Sequence, residues 1–289
     1  MRYLNLSSDD YANMSHENAN ALRSVGIYCD DVAINNHPFG YKTQSRIIRF
    51  DEITELAKHF DVVQVFHSDE RIFKQVYSHP KVVVYHTGTR YRQNPEFFNK
   101  LFKGRIQLTD QTEFVCLGDM RYIAPHSTLI SQPKRYDGKL IIGHYPSNAA
   151  VKGTDKILTM LEPFFNDFEI RIGINKVPHE EQLKRMAECH VYIELFAQQQ
   201  QGKQYGCHGV TAFEAAALGC LVVTQNLYPE VYAKEYGANY FHLANDEESF
   251  IRTFEELKNV DRKLLLTPSG FYINHNIEST GYKILELTR

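Results

Sequence analysis

"YGCHGVTAFEAAALGCLVV", residues 205–223, decides how this chain is read. It opens as a loop carrying Gly206 and Gly209, continues as a small-residue helix over 210–218, and ends in the buried strand that starts at "LVV". One residue stands apart. Glu214 sits early in the helix among Ala212, Phe213, Ala215, Ala216, Ala217 and Leu218, all packing residues. A helix this rich in Ala suits close contact with a sheet, where a carboxylate without a partner is costly. Two readings stay open. Glu214 caps its own helix, or it accepts two hydrogen bonds from a ligand, as the vicinal hydroxyls of a ribose would offer.

Composition narrows the setting. The chain has 289 residues, 43% hydrophobic and 23% charged, which is ordinary for a globular protein and long enough for two domains. The apolar run 213–223 is too short to span a membrane and contains Glu214. "MRYLNLSSDD" turns acidic by Asp9 and does not read as a signal peptide. The five cysteines (Cys29, Cys116, Cys189, Cys207, Cys220) are scattered and form no C-x-x-C pair, so free thiols in a reducing cytoplasm are expected. A net charge of −3 does not call for nucleic acid, though it permits a local basic patch.

Strand and helix patterns alternate along the whole length. Strands are predicted over 2–7, 31–35, 61–67, 81–86, 139–144, 168–174, 191–195, 221–225 and 239–243. Helices are predicted over 15–25, 51–59, 155–165, 180–188 and 246–257. Runs such as "DVVQVF", "KVVVYH" and "CLVVTQ" are apolar at nearly every position, as in parallel strands covered on both faces. The segment "SQPKRYDGK", 131–139, reads as a linker, with Pro133, Gly138 and no apolar period. The expected architecture is α/β, with two Rossmann-like lobes over 1–134 and 135–289. The "QQQQ" tract at 198–201 falls in a long loop.

Ligands in such folds bind where strands end and helices begin. In "IIGHYPSNAAVKGTDKILTMLEPFF", Lys152 and Gly153 precede a helix whose expected N-cap is Thr154. A helix N-terminus, a glycine that admits close approach and a lysine together suit a diphosphate. The order of a Walker loop is absent, and a plain capped turn with a solvated lysine is the other reading. At the second loop, Gly209, Val210 and Thr211 begin the helix that carries Glu214, with His208 just before.

Three segments together, "GHYPSNAAVKGTDKI", "VPHEEQLKRMAECHVYIEL" and the opening stretch, resemble the C-terminal domain of GT-B-fold retaining glycosyltransferases of the glycogen-synthase-like family four. That family carries "KG", a strand with an acidic end, and then G-x-x-x-x-E-A-x-A-x-G-x-P-V. Gly209, Glu214, Ala215, Ala217, Gly219 and Val222 match in register, with Leu221 in place of the Pro. The resemblance implies two Rossmann-like lobes around a cleft, with a helix over 276–289 crossing back to the first. It implies a nucleotide-sugar donor, a UDP-sugar before a GDP-sugar, with no cofactor and no metal. Lys152 is then the diphosphate-binding lysine and Glu214 the ribose-binding glutamate. A second glutamate common in the family, eight residues before Glu214, is Gly206 here. The family's arginine before the lysine is also missing, and His144 or Asn148 is expected in its space.

In the first lobe the loop after the first strand, with Ser8 and Asp10, is expected to face the donor. His86, ending the strand of "VVVYHTGTRYR", resembles the family's active-site histidine. A structural histidine is the alternative. His67 sits at a similar strand end. Six basic residues between Lys81 and Arg105, Arg90 and Arg92 among them, are interleaved with Tyr91, Phe97, Phe98 and Phe102. An amphipathic helix explains this. So does an acceptor surface for an anionic partner, DNA or a phospholipid-linked glycan, with Arg90, Arg92 and His67 as its residues. The function expected is transfer of a sugar from a nucleotide-sugar donor with retention of configuration. A phage-type DNA glycosyltransferase, a nucleotide-sugar epimerase and a catalytically silent nucleotide-binding protein are the rivals.

Overall fold

The computed structural model describes residues 1–289 except 38, 132–133, 135–137, 198, 201 and 262–264. The chain divides into two compact units, Met1–Pro125 with His275–Arg289, and His126–Asn274. The linker expected over 131–139 and the tract 198–201 fall partly outside the described residues.

The first unit contains strands β1 (Arg2–Asp9), β2 (Tyr28–Asn35), β3 (Arg46–Ile47), β4 (Val62–Phe66), β5 (Val82–His86), β6 (Ile106–Thr109) and β7 (Arg121–Tyr122). Helices α1 (Met14–Ser24), α2 (Ile53–Ala57), α3 (Glu70–Val76), α4 (Gly88–Gln93), α5 (Pro95–Leu101) and α6 (Thr112–Val115) lie between them. All strands are parallel in the order β3-β2-β1-β4-β5-β6-β7. The order reverses between β1 and β4, which makes their carboxyl ends the natural ligand crevice of this sheet. Every residue of β4 and β5 is buried, as their unbroken apolar runs predict. Leu4, Leu6, Val63, Val65, Val84, Phe73 and Phe102 belong to one core cluster.

The second unit contains β8 (Ile141–His144), β9 (Glu169–Ile172), β10 (Val191–Ile193), β11 (Gln199–Gln200), β12 (Lys203–Gln204), β13 (Leu221–Thr224) and β14 (His242–Leu243). Its helices are α7 (Ala149–Lys152), α8 (Thr154–Leu161), α9 (His179–Ala187), α10 (Val210–Ala217), α11 (Pro229–Tyr236), α12 (Glu247–Leu257) and α13 (Ser269–Asn274). Five strands form a parallel sheet, β14-β13-β10-β8-β9, while β11 and β12 make a small antiparallel pair. The reversal falls between β8 and β10. Ile142, Val191, Ile193, Val223, Phe164 and Phe254 fill the core of this sheet. Asp246 caps α12 reciprocally with Ser249, which explains its sharp start.

The last helix, α14 (Ile277–Leu287), follows Asn276, whose side chain accepts from the Ser279 N–H at 2.8 Å. It belongs to the first unit and packs on α1. Gly281 makes the close approach: a Cβ there would overlap the Ala21 carbonyl oxygen. Thr288 completes the contact through a 2.7 Å bond with the Tyr3 hydroxyl. No helix among the described residues is long and apolar enough to cross a membrane.

Three elements differ from expectation. Lys152 does not lie in an open loop; it ends the short helix α7, which Asn148 caps through the Val151 N–H. Gly153, with φ 71°, is the N-cap of α8, so Thr154 is the first helical residue and not the cap. The segment 51–59 enters its helix through a 3₁₀ turn at Phe50–Glu52, because Glu52 turns back to accept from the Arg49 N–H at 2.9 Å.

Candidate functional site

In the second unit the strand reversal brings the carboxyl ends of β8 and β10 side by side, and a lysine follows one while a glutamate follows the other. Lys152 Nζ donates to Glu194 Oε1. The Glu194 side chain is fully buried and also accepts from Thr211 Oγ1 at 3.3 Å and Thr224 Oγ1 at 3.1 Å. Burial alone would push the Lys152 ammonium toward neutrality; the Glu194 carboxylate outweighs it and raises the pKa, so the lysine stays charged. Gly209 caps α10 from the other side, and a Cβ there would lie 3.0 Å from Lys152 Nζ. The glycine thus lets an ammonium reach the N-terminus of α10, where Val210 and Thr211 form the first turn. Glu194 commits one of three N–H donors of Lys152. What remains is a fixed cation beside a helix N-terminus, an arrangement that favours anions.

Glu214 lies four residues further along α10, a rise of about 6 Å. Its side chain is 12% exposed and pairs through Oε1 with His179 Nε2 at 2.7 Å. His179 begins α9. Neither Glu194 nor His179 was among the expected site residues. Glu194 was signalled only by the acidic end of the "VYIEL" strand. Gly206, where the resembling family has its other glutamate, has φ 150°, and a Cβ would meet Leu227 Cγ at 3.1 Å. Backbone geometry therefore favours glycine at that position.

Other expected residues have different places. His144 is fully buried, with Nδ1 on the Ile193 carbonyl at 2.8 Å and Nε2 on Thr154 Oγ1 at 2.9 Å. Burial lowers its pKa to about 4, so it ties β8 to β10 and α8 as a neutral ring and supplies no positive charge. Thr154, 2% exposed, is spent on that bond. Gly153 contributes backbone: the Phe196 N–H donates to the neighbouring Lys152 carbonyl at 3.0 Å, clasping the lysine's own residue. His208 is buried in an aromatic nest, 4.4 Å from the Phe241 ring and 4.9 Å from Tyr232.

In the first unit the reversal joins Asp10 after β1 to His67 after β4. Asp10 accepts from the N–H groups of Ser15 at 2.7 Å and His16 at 3.1 Å, closing the start of α1 with the chain's own carboxylate. His67 Nε2 lies 3.5 Å from Asp10 Oδ1, and Nδ1 bonds Thr87 Oγ1 at 2.6 Å. Ser8 donates to Asp69, which caps α3. His86 lies in the interior of the first unit. It is fully buried, with Nδ1 on Ser68 Oγ at 2.9 Å and Nε2 on Gln107 Oε1 at 3.0 Å, and burial lowers its pKa to about 3. Both ring nitrogens are engaged within the unit, an arrangement that suits the structural alternative. Arg92, expected at an acceptor surface, is 4% exposed and pairs with Glu113 at 2.7 Å. Arg90 remains 38% exposed, 3.3 Å from Asp69.

The buried histidines set a pH dependence. Unfolded, His86 and His144 would gain protons below about pH 6.5; folded, they stay neutral. The unfolded state therefore binds more protons between pH 6.5 and 4, and stability present above pH 6.5 is lost as pH falls. At pH 4.5 each ring should cost roughly 2–3 kcal/mol. Asp110 acts oppositely: burial raises its pKa to about 7, so its contribution is full below the ordinary carboxylate range and fades as pH rises toward 7. Urea unfolding at pH 4.5 and 7.5 checks this. His86→Gln should narrow the difference between the two, and an unchanged difference would contradict the buried neutral ring.

No protein-family model and no curated protein matches the sequence. Solved structures do. An α-glucosyltransferase in complex with UDP and a 13-mer DNA containing an HMU base is similar with a TM-score of 0.58 at 12% identity, over 100% of this chain and 95% of that one. AviGT4, a glycosyltransferase involved in avilamycin A biosynthesis, gives 0.59 at 13%, over 100% and 97%. The lipopolysaccharide outer core galactosyltransferase WaaB gives 0.59 at 8%, over 99% of each. These likenesses, together with the two parallel sheets, show a GT-B fold of two Rossmann-like units.

Proposed function

We propose that the chain is a nucleotide-sugar-dependent glycosyltransferase whose donor, a UDP-sugar, is held by the second unit. The observation that carries this reading is the Lys152 ammonium fixed by buried Glu194 against the glycine-opened N-terminus of α10, with Glu214 about one turn further along the same helix. Lys152 and the helix N-terminus meet the diphosphate, where charge develops as the sugar departs. Glu214 accepts the ribose hydroxyls, sharing or exchanging its bond with His179. Charge on the leaving group is met without a metal ion in this scheme. Retention of configuration follows the family that the "KG" and "EAAALG" motifs resemble. The UDP complexes among the structural neighbours support the choice of nucleotide. Five free cysteines support a cytoplasmic setting.

The test is a thermal-shift and calorimetry panel of UDP-, GDP-, ADP- and CDP-sugars. A UDP-sugar should stabilise the wild type, and Glu214→Ala should weaken its binding roughly 10–100-fold, the worth of charge-assisted hydrogen bonds. If no nucleotide sugar binds, the reading fails. If Glu214→Ala binds as tightly as wild type, the ribose assignment fails. Turnover of the donor to a second free nucleotide sugar with no acceptor present would point to an epimerase.

A further inference from the structure

The carboxyl edge of the first sheet carries two cavities that the donor reading leaves unused. One, of about 470 Å³, is lined by Tyr11, His67, Thr87 and Thr89; the other, of about 390 Å³, by Asp69, Arg71, Asn94 and Phe97. Arg90 and Gln93 line both, so the cavities adjoin. Each has an exposed aromatic ring on its wall: Tyr11 is 56% exposed and Phe97 43%. An accessible ring offers a flat apolar face to a ligand in the cavity beside it.

The walls include left-handed backbone at non-glycine residues. Ala12 and Asn13, which follow Tyr11, and His67 and Ser68, after β4, have φ between 53° and 61°. Left-handed backbone costs such residues roughly 1–2 kcal/mol each. Strain of this kind persists only where surroundings over-determine it, and it concentrates at ligand sites. Here the surroundings are identifiable. His67 bonds Thr87, Ser68 Oγ bonds His86 at 2.9 Å, and Asn13 Nδ2 donates to the Thr43 carbonyl at 3.0 Å. The strained His67 in turn meets the Tyr11 ring edge-on at 5.2 Å.

Charge decides the ligand class. The basic residues, Arg71 and Arg90, face Asp69 at 3.8 and 3.3 Å, and Glu70 also lines the second cavity. The formal sum of two guanidiniums and two carboxylates is zero. A phosphodiester chain needs uncompensated cations. A neutral sugar needs donors and acceptors together, since each hydroxyl is both, and an apolar ring face for its C–H surface. This trough has that mixture, in guanidinium, carboxylate, amide and hydroxyl groups between two aromatic platforms.

We propose that the first unit binds the acceptor as a neutral oligosaccharide of at least two sugar residues, one against Tyr11 and His67 and the next against Phe97. This site rests on the glycosyltransferase reading for its role as acceptor site, but its binding can be measured alone. Saturation-transfer NMR with neutral di- and trisaccharides of gluco, galacto, manno and N-acetylglucosamine configuration, without nucleotide, is the direct test. At least one trisaccharide should bind, with affinity unchanged between 50 and 500 mM salt. Tyr11→Ala and Phe97→Ala should each weaken it more than tenfold with the wild-type unfolding midpoint kept, because both rings are exposed. Arg90→Gln serves as a third variant, removing a polar contact shared by both cavities. The proposal is overturned if no neutral oligosaccharide binds, if the aromatic variants bind like wild type, or if single- or double-stranded DNA oligonucleotides occupy the trough with steep salt dependence. The UDP-sugar thermal shift is read on the same samples. Oligosaccharide binding without nucleotide binding would remove the donor reading and keep the site; the reverse would remove the site and keep the donor reading.

Discussion

Lys152→Met should be among the most damaging single changes in the second unit, costing about 3–5 kcal/mol of its stability. Methionine fills the same volume, so packing is little altered. The cost arises because the wholly buried Glu194 carboxylate would keep, among the described residues, only the hydroxyls of Thr211 and Thr224 as partners. The double variant Lys152→Met/Glu194→Gln should recover most of that loss, since a neutral amide needs no counter-ion. Nucleotide binding should stay lost in both, because neither restores a cation at the start of α10. Urea unfolding with calorimetric titration of UDP separates the two effects. A single variant that loses less than about 1 kcal/mol would mean the pair is not buried as described.

Gly153→Ala should destabilise the same unit by roughly 2–5 kcal/mol, summing left-handed backbone strain and a steric overlap. Gly153 has φ 71°, and a Cβ there would overlap the Phe196 carbonyl oxygen. Relief requires the loop after β10 to retreat at Phe196, which breaks its bond to the Lys152 carbonyl and moves the lysine. Nucleotide affinity should therefore fall together with stability. Gly138→Ala is the control: no described residue lies within 4 Å of its Cβ position and its φ is not left-handed, so its effect should stay within about 0.5 kcal/mol. Equal midpoints for the two variants would contradict the clasp between α7 and the loop after β10.

The alternation of elements was legible because fully covered parallel strands announce themselves by composition. "VVQVF" and "VVVYH" need no partner information to be read as β4 and β5. Strand β6, "IQLT", was missed because polar residues interrupt its apolar ones, and β3 and β7 because two residues carry no period. Asn5 and Gln64, wholly buried and opposite each other on β1 and β4, show that even central strands admit polar residues that no periodicity anticipates. At the site, Lys152 and Glu214 stood out locally, one beside glycine at a helix start and the other among alanines. Their partners did not. Glu194 is 42 positions from Lys152, and His179 is 35 from Glu214. Only the strand reversal and the packing of α9 against α10 bring them together. Histidines are the hardest case, since a strand-end ring with both nitrogens bonded looks the same in sequence whether it lies in the interior, as His86 and His144 do, or borders a cavity, as His67 does.

Helix α14 gives the chain an order of birth. On the ribosome, residues 1–125 emerge before the second unit, yet the helix that covers α1 is made only after all of 126–274. At about 5–20 residues per second, that interval is roughly 8–30 s. Through it, the face of α1 around Ala21, where Gly281 will dock, has no cover from its own chain. The second unit, contiguous in sequence, can finish in the meantime. The unit that holds residues 1–125 is therefore completed only after the unit made between its two pieces.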